Sequence, residues 1–314
     1  MNWRDAWEAP RPSELGLEAL ERTARHARNP SSLHAAGRAA KRVLDDLTEV
    51  VCARLRAEPR HVDVIVTGGA REAMELVANQ TALGLRSTPV ARAMLRAGHG
   101  AHLAVVVDDR DGTVDLHAAG IAPQTEAAFA GTEPGMSEDA RPVRVTDVTL
   151  ALGRVDLDFP ASESDVWVLS GEFSGAPPGI GALVRRRGVE LRPLWGGGGQ
   201  EHGIRAGTQA VALAAAWAAA LRGVEERRSR LRRSAARIAE ALDRPGIEIL
   251  MGGGGSGADG VVVVQGDGVA ALAENLASEG VHPCRAAANR LRFAVDASDS
   301  DDDIETLAAV LNTA

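Results

Sequence analysis

The sequence predicts an α/β protein, with a large domain on a mostly parallel sheet and a small C-terminal α/β domain, for two reasons. A short β-branched segment at 61–69, HVDVIVTGG, ends in glycines and leads directly into the helical pattern AREAMELVANQTALGL. Such a strand, glycine turn and helix form the unit in which a parallel sheet usually binds an anionic ligand. Beyond residue 242, short apolar segments and helical segments alternate again, which is typical of a second, smaller α/β domain.

The other elements follow from hydrophobic periodicity. Apolar residues at positions i, i+3 and i+4 predict helices over 13–27 and 35–57. Three further strands are predicted from AHLAVVVDD, VRVTDVTLAL and DVWVLSG, at 101–109, 143–152 and 165–171. The segment IGALVRR at 180–186 is predicted to be a strand whose partner is antiparallel or nearby.

A long helix is predicted over 208–242, apolar in its first part and charged in its second. This change in polarity indicates that the helix leaves one domain and continues on the surface of another, with the boundary near residue 225. We therefore expect a large domain over 13–225 and a small domain over 226–314, with residues 1–12 packing on the small domain.

Composition limits the partners and the compartment. A formal net charge of −8 argues against nucleic acid or an anionic membrane as the main partner. The chain has no run of about 18 apolar residues, and its N-terminal segment is charged, so we expect a cytoplasmic protein. The two cysteines, Cys52 and Cys284, lie far apart in no metal-binding spacing, so no metal site is expected. Cys52 lies on an apolar helical face and is expected in the core.

Five separated segments together resemble one known family. They are RNPSSLHAAGRAAKRVL at 28–44, DGTVDL at 111–116, PPGIGALVRR at 177–186, GGGGQEHGIRAGTQ at 196–209 and RLRFAVDASDSDDDIETLAAVL at 290–311. In this order they resemble the NifS-like cysteine desulfurases of the class V aminotransferase family. The resemblance implies the fold of the pyridoxal-phosphate (PLP)-dependent transferases of fold type I, with a seven-stranded sheet. It also implies a homodimer that moves sulfur from L-cysteine onto a cysteine of a mobile loop.

Several residues match the functional positions of that family. Asp147, in TDVTLALG, matches the aspartate on the pyridine nitrogen, and Ser170 matches a phosphate-binding serine. Thr208 matches the threonine that reaches the phosphate of the partner subunit. Arg292 matches the arginine that binds the substrate carboxylate, and Cys284 lies near the start of the catalytic-cysteine loop, which is cut short here. Three of these matches also have purely structural interpretations. In these, Asp147 caps a turn, Ser170 bonds to backbone and Arg292 forms a buried ion pair.

Other family positions are changed. Glu172 and Phe173 follow Ser170-Gly171, where the family has Ser-Gly-His-Lys, so Phe173 stands at the position of the lysine that holds PLP. Arg71 replaces a phosphate-binding threonine. The segment 88–95 has no ring-stacking histidine and AGTEPG, at 130–135, has no substrate asparagine. Lys41, the single lysine of the chain, lies in a helix well before the cofactor site, where a solvated surface charge is expected.

A carboxylate or a phenyl ring cannot form an imine with the PLP aldehyde, so the ordinary reaction has no starting point. The sequence therefore predicts a degenerate family member, a pseudoenzyme for which no covalently held cofactor is expected and any PLP would be a non-covalent ligand. It is expected to dimerise with itself or with an active paralogue, as a scaffold or regulator in sulfur transfer to an acceptor protein. Two alternatives stay open. One is altered chemistry on PLP or another anionic ligand, with Glu172 as acid or base, and the other is a divergent desulfurase that uses Cys284.

Overall fold

A computed structural model describes residues 3–5, 10–78, 85–86, 127–129, 143–162, 164–252, 258–287, 289–296 and 298–313. The described residues divide into two compact units, a larger one within 12–222 and a smaller one made of the segments within 3–11 and 223–313. The sequence-based limits, a large domain over 13–225 and a small domain over 226–314, stay a prediction.

Helices and strands alternate along the described chain. The helices are α1 (Glu14–Ala24), α2 (Ala35–Arg54), α3 (Ala70–Ala78), α4 (Val211–Arg222), α5 (Val224–Leu242), α6 (Val269–Ser278) and α7 (Asp301–Thr313). The strands are β1 (Trp3–Arg4), β2 (Val62–Thr67), β3 (Leu85–Arg86), β4 (Ala127–Phe129), β5 (Val143–Asp147), β6 (Val166–Ser170), β7 (Gly181–Arg186), β8 (Glu248–Met251), β9 (Val261–Gln265), β10 (Val281–His282), β11 (Cys284–Ala287) and β12 (Arg290–Ala294). Two 3-10 turns, Glu172–Ser174 and Glu201–Gly203, complete the set.

The larger unit contains a mixed sheet in the order β2-β7-β6-β5-β4-β3. Strands β2, β3, β5 and β6 run in one direction, whereas β4 and β7 run in the other. Strand β7 is antiparallel to both neighbours, as a short connection over 171–180 requires, because a parallel return needs a crossover of about a dozen residues or more. The sheet is therefore mixed in its pairing, although most of its described strands share a direction. The predicted strand at 101–109 lies outside the described residues.

The helices of the larger unit begin where side chains cap them. Ser13 accepts a hydrogen bond from the Gly16 amide and starts α1. His34 Nδ1 accepts a hydrogen bond from the Gly37 amide, 3.1 Å away, and starts α2. A Cβ atom on Gly37 would lie 2.2 Å from the Ser32 carbonyl oxygen, so glycine lets the preceding turn lie against the helix. The segment NPSSLHAAG is therefore a compact helix entry.

The helix predicted over 208–242 is two helices. It begins at Val211, and Gly223 separates α4 from α5 with backbone angles of −79° and 7°. Glycine disfavours helix continuation because its backbone has the most freedom to lose. Most residues of α4 are buried, while α5 buries only one face. The predicted change in polarity is present, but it coincides with a break.

The smaller unit contains a four-stranded antiparallel sheet in the order β11-β12-β9-β8. A separate pair joins β1 to β10 in parallel. Helices α5, α6 and α7 contribute the apolar side chains that pack with this sheet into one core, to which Trp3 also belongs. Residues at the start of the chain thus contribute directly to the core of the C-terminal unit.

Candidate functional site

Three strands of the larger unit end at one edge of its sheet. Thr67, the last residue of β2, and Ser170, the last residue of β6, both pair with Gly181 of β7. A Cβ atom on Gly181 would lie 2.7 Å from the Gly69 Cα atom, so the glycine turn after β2 lies directly on the sheet. Asp147 ends the neighbouring strand β5. This carboxyl-terminal edge is where α/β proteins bind ligands, and it brings together Asp147, Ser170 and the start of α3.

Asp147 is buried at this edge. One of its carboxylate oxygens accepts a hydrogen bond of 2.9 Å from the Thr149 amide and closes the turn after β5. Burial raises the pKa of the Asp147 carboxyl, which favours its neutral form. A pyridinium nitrogen needs the charged form as its partner. The described contact is that of a turn cap, and the cofactor role of Asp147 stays a prediction.

The turn after β6 contains Phe173, which the sequence resemblance places at the position of the family lysine. Ser170 is buried, whereas Glu172 and Phe173 are half-buried in the 3-10 turn. Ser174, in the same turn, donates to the Gly171 carbonyl at 2.9 Å and accepts a hydrogen bond of 2.8 Å from Trp217 Nε1. The buried tryptophan of α4 therefore holds the turn, and the Phe173 ring remains partly accessible.

The amino-terminal turn of α3 is engaged by the carboxylate of Glu72. The Gly68 amide donates to Glu72 Oε2 at 2.6 Å, and Arg205 Nε contacts Glu72 Oε1 at 2.8 Å. Arg71, predicted to replace a phosphate-binding threonine, is exposed and pairs with Glu75 at 2.8 Å. A helix amino terminus favours an anion, and here a side chain of α3 itself supplies it.

Hydrogen bonds of Glu201 hold the glycine-rich segment, 196–209, against the outer edge of β2. Glu201 Oε2 accepts a hydrogen bond of 2.6 Å from the Val66 amide, and Glu201 Oε1 accepts one of 3.0 Å from Gln209 Nε2. Glu201 and His202 have φ angles of 47° and 59°, in the left-handed region that residues other than glycine rarely adopt. Thr208, at the end of the segment, is exposed. The contacts of Glu201 therefore position the loop that presents Thr208.

Replacing Glu201 by glutamine is expected to change the pH dependence of stability. Burial raises the pKa of the Glu201 carboxyl above its ordinary value of about 4.3. The folded chain then binds more protons than the unfolded chain between the two pKa values, so the free energy of unfolding falls as pH rises through that window. Glutamine does not titrate. The stability of the wild type relative to Glu201→Gln should therefore fall from about pH 4.3 upward and then level off.

Urea unfolding of both proteins between pH 4 and pH 8 measures this difference. Asp147 titrates in both proteins, so its contribution cancels in the comparison. A difference that rises with pH, or one that does not change, would contradict the proposed effect of burial on Glu201.

The smaller unit holds the two remaining candidates side by side. Cys284 of β11 pairs with Arg292 of β12, and Cys284 is half-buried. Arg292 is fully buried and forms an ion pair of 2.8 Å with Asp5, which is also fully buried. This contact corresponds to the alternative interpretation of Arg292, and its role toward a substrate stays a prediction.

Lys41 lies exposed on α2 and pairs with Asp45 at 2.8 Å, as a solvated surface charge would.

Three carboxylates that hold strands and turns in place were absent from the sequence-based candidates: Asp5, Glu72 and Glu201. The role of Glu72 at the start of α3 was predictable from the sequence, because a threonine and glycines followed by a glutamate at a helix start resemble a capping pattern. Asp5 and Glu201 act on strands far along the chain, so no local pattern points to their partners.

Comparisons with known proteins agree with this architecture. A profile of the family described as "Aminotransferase class-V" matches residues 9–248. An "IscS-like cysteine desulfurase" of Mycobacterium tuberculosis (strain ATCC 25618 / H37Rv) is 32% identical, over 72% of this chain and 67% of the relative. A "Cysteine desulfurase" of Gluconacetobacter diazotrophicus is 31% identical, over 68% of this chain and 61% of the relative. The aligned parts thus span about two thirds or less of these relatives.

Solved structures show the same fold. A "NIFS-LIKE PROTEIN" superposes with a TM-score of 0.72 at 21% identity, covering 99% of this chain and 98% of the other. A NifS-like protein from Rickettsia africae ESF-5 gives a TM-score of 0.71 at 17% identity, covering 100% and 99%. The fold is therefore that of the PLP-dependent transferases of fold type I, as the sequence predicts. Within that class, the chain belongs to the aminotransferase class-V family and resembles its NifS-like cysteine desulfurases.

This family is PLP-dependent, but the residues described at the sheet edge do not fit PLP held through an imine. The sequence resemblance places Phe173 at the lysine position, an assignment that stays a prediction, and the single lysine of the sequence is Lys41 on α2. The Asp147 carboxylate caps the turn after β5, and the Gly68 amide is engaged by Glu72. The donor set therefore lacks the amine on which the chemistry of the cofactor depends.

Within the described part of the chain, none of the helices is both long and apolar enough to cross a membrane. Among the same residues, no group of three or more His, Cys, Asp or Glu side chains is arranged to hold a metal ion.

Proposed function

We propose that this chain is a cysteine desulfurase-like pseudoenzyme, a cytoplasmic scaffold or regulatory subunit in sulfur transfer that works as a dimer. The observation that carries the proposal is Phe173 at the position of the cofactor lysine. The aromatic ring lies on a turn held by the buried Trp217, with the Glu172 carboxylate beside it in the sequence. A site built in this way can bind an anionic cofactor only non-covalently, if it binds one at all.

Exposed apolar side chains on the retained family segments support dimerisation. Leu33, in NPSSLH, is 91% exposed, and Trp195, at the start of the glycine-rich segment, is 43% exposed. Single exposed apolar side chains are ordinary on folded surfaces, so the support comes from their place on segments shared with a family that typically dimerises. Thr208 is also exposed at the end of a fastened loop. These residues suit a contact with a second subunit, either another copy or an active, lysine-bearing paralogue.

The relatives supply the biochemical setting of the proposal. They are described as cysteine desulfurases, and the family typically dimerises and transfers sulfur to acceptors. A subunit that keeps the outer segments of the family and lacks its imine-forming residue can pair with an active desulfurase, or bind its acceptor, without turnover of its own.

Leu33→Asp is expected to weaken self-association or pairing with a lysine-bearing desulfurase of the same cell by about tenfold or more, because it buries a charge in a contact. Light scattering coupled to size-exclusion chromatography measures the first, and co-elution with the desulfurase measures the second. Ala236→Asp, on an exposed position of α5, is the matched control and should change neither. A wild-type chain that stays monomeric and never co-elutes with the desulfurase would overturn the proposal.

A further inference from the structure

Backbone pairing in the smaller unit determines where Asp5 lies. The Trp3 amide donates to the Gly280 carbonyl at 3.0 Å, and the Asp5 amide donates to the His282 carbonyl at 3.2 Å. The Trp3 ring packs against Phe293 with its centroid 6.0 Å away, and both side chains are buried. Residues 3–5 therefore run alongside β10, and the Trp3 ring packs on Phe293. This arrangement places the Asp5 side chain beside β12.

Three donors of one strand converge on the Asp5 carboxylate. Arg292 Nη2 donates to Asp5 Oδ1 at 2.8 Å, and Arg292 Nε donates to Asp5 Oδ2 at 3.1 Å. The Ala294 amide adds a third hydrogen bond of 2.9 Å to Asp5 Oδ2. A planar guanidinium that holds both oxygens of a carboxylate is the strongest arrangement of this kind. Because the donors belong to two residues of one paired strand, Arg292 and Ala294, their spacing is set by the sheet.

The burial of this pair excludes water. Asp5 and Arg292 both have 0% exposure, and Arg292 is among the largest fully buried side chains in the described part of the chain. Removing one partner of a buried ion pair strands the other charge away from water, which costs far more than losing a surface pair. A competing carboxylate would have to displace the one that the chain already supplies.

We infer that Arg292 and the Ala294 amide form a built receptor for a monocarboxylate, and that Asp5 fills it as an internal ligand. This inference rests on the proposed function and deepens it. Arg292, which matches the arginine that binds the substrate carboxylate in the relatives, is already occupied by Asp5 of the same chain. The carboxylate of an amino acid therefore cannot bind to it. In the described part of the smaller unit, Arg292 is thus closed to an external carboxylate, independently of the lysine that the sequence lacks at position 173.

The test removes the internal ligand and supplies an external one. Asp5→Ala should lower the melting temperature in sodium chloride, and sodium formate at equal ionic strength should raise it again with a saturable concentration dependence. The wild type should respond equally to formate and chloride. The double variant Asp5→Ala/Arg292→Met should not respond to formate. A folded Asp5→Ala protein that shows no formate-specific gain would overturn the inference.

Chemical modification covers the case in which Asp5→Ala does not fold in either salt. In the wild type, phenylglyoxal should leave Arg292 unmodified while it modifies the exposed Arg233. In Asp5→Asn, which keeps the size of the side chain, Arg292 should become reactive. Equal reactivity of Arg292 in the two proteins would overturn the inference. Neither readout depends on association or activity, so failure here is distinguishable from failure of the proposed function.

Discussion

Phe173→Lys is expected to yield a protein that borohydride links covalently to PLP at residue 173, whereas the wild type should show no such site-specific link. The reason is chemical, because only an amine condenses with the aldehyde and reduction then makes the bond permanent. Phe173 is half-buried, so a lysine at this position keeps access to the sheet edge. Incubation with excess PLP, reduction, proteolysis and mass spectrometry locate and quantify the adduct.

Lys41→Arg is the matched control, since it removes the single lysine of the wild-type sequence. Exposed Lys41 can react without a binding site, and this variant defines that background. Sulfide release from L-cysteine with added PLP provides a second readout, and none is expected from the wild type. Release that Cys284→Ser abolishes would contradict the proposal and favour the divergent desulfurase instead. A stoichiometric, saturable PLP adduct on the wild type would contradict it as well.

Trp217→Ala is expected to lower the free energy of unfolding by about 3–5 kcal/mol, the usual cost of deleting a large buried aromatic side chain. Trp217 has 0% exposure, and its Nε1 donates to Ser174 Oγ at 2.8 Å. The loss therefore combines a cavity with a buried hydroxyl deprived of its donor. Urea unfolding followed by circular dichroism measures the change.

Trp195→Ala is the matched control for this substitution. Trp195 is 43% exposed, and its removal should cost less than about 1 kcal/mol, as surface substitutions usually do. Ser174→Ala tests the hydrogen bond alone, and the Trp217/Ser174 double variant measures their coupling. If the two tryptophan variants were equally stable, the assigned role of Trp217 in holding the turn of Glu172 and Phe173 would be wrong.

Local pattern predicted many of the elements correctly. The β-branched run ending in glycines is the strand Val62–Thr67 followed by α3, and IGALVRR contains the antiparallel strand Gly181–Arg186. These elements were predictable because periodicity and glycine turns act over a few residues. The break at Gly223 was missed, since the apolar and charged halves of α4 and α5 read as one continuous helical pattern.

Long-range contacts could not be predicted in the same way. Glu201 reaches the Val66 amide across 135 positions, and Asp5 reaches Arg292 across 287. Each depends on strands that meet only when the sheets form. The sequence left two interpretations of Arg292 open for this reason, and the packing of residues 3–5 against β10 and β12 brings a carboxylate onto its guanidinium.

The sequence alone determined which chemical groups the protein has. A chain whose single lysine is Lys41 has no amine at position 173 however it folds, because reactivity is a property of the side chain itself. Only the tertiary structure decided which of its charged groups already have a hydrogen-bonded partner within the chain. Burial and hydrogen bonding depend on neighbours brought together by folding, and they satisfy Arg292 with Asp5 and the start of α3 with Glu72.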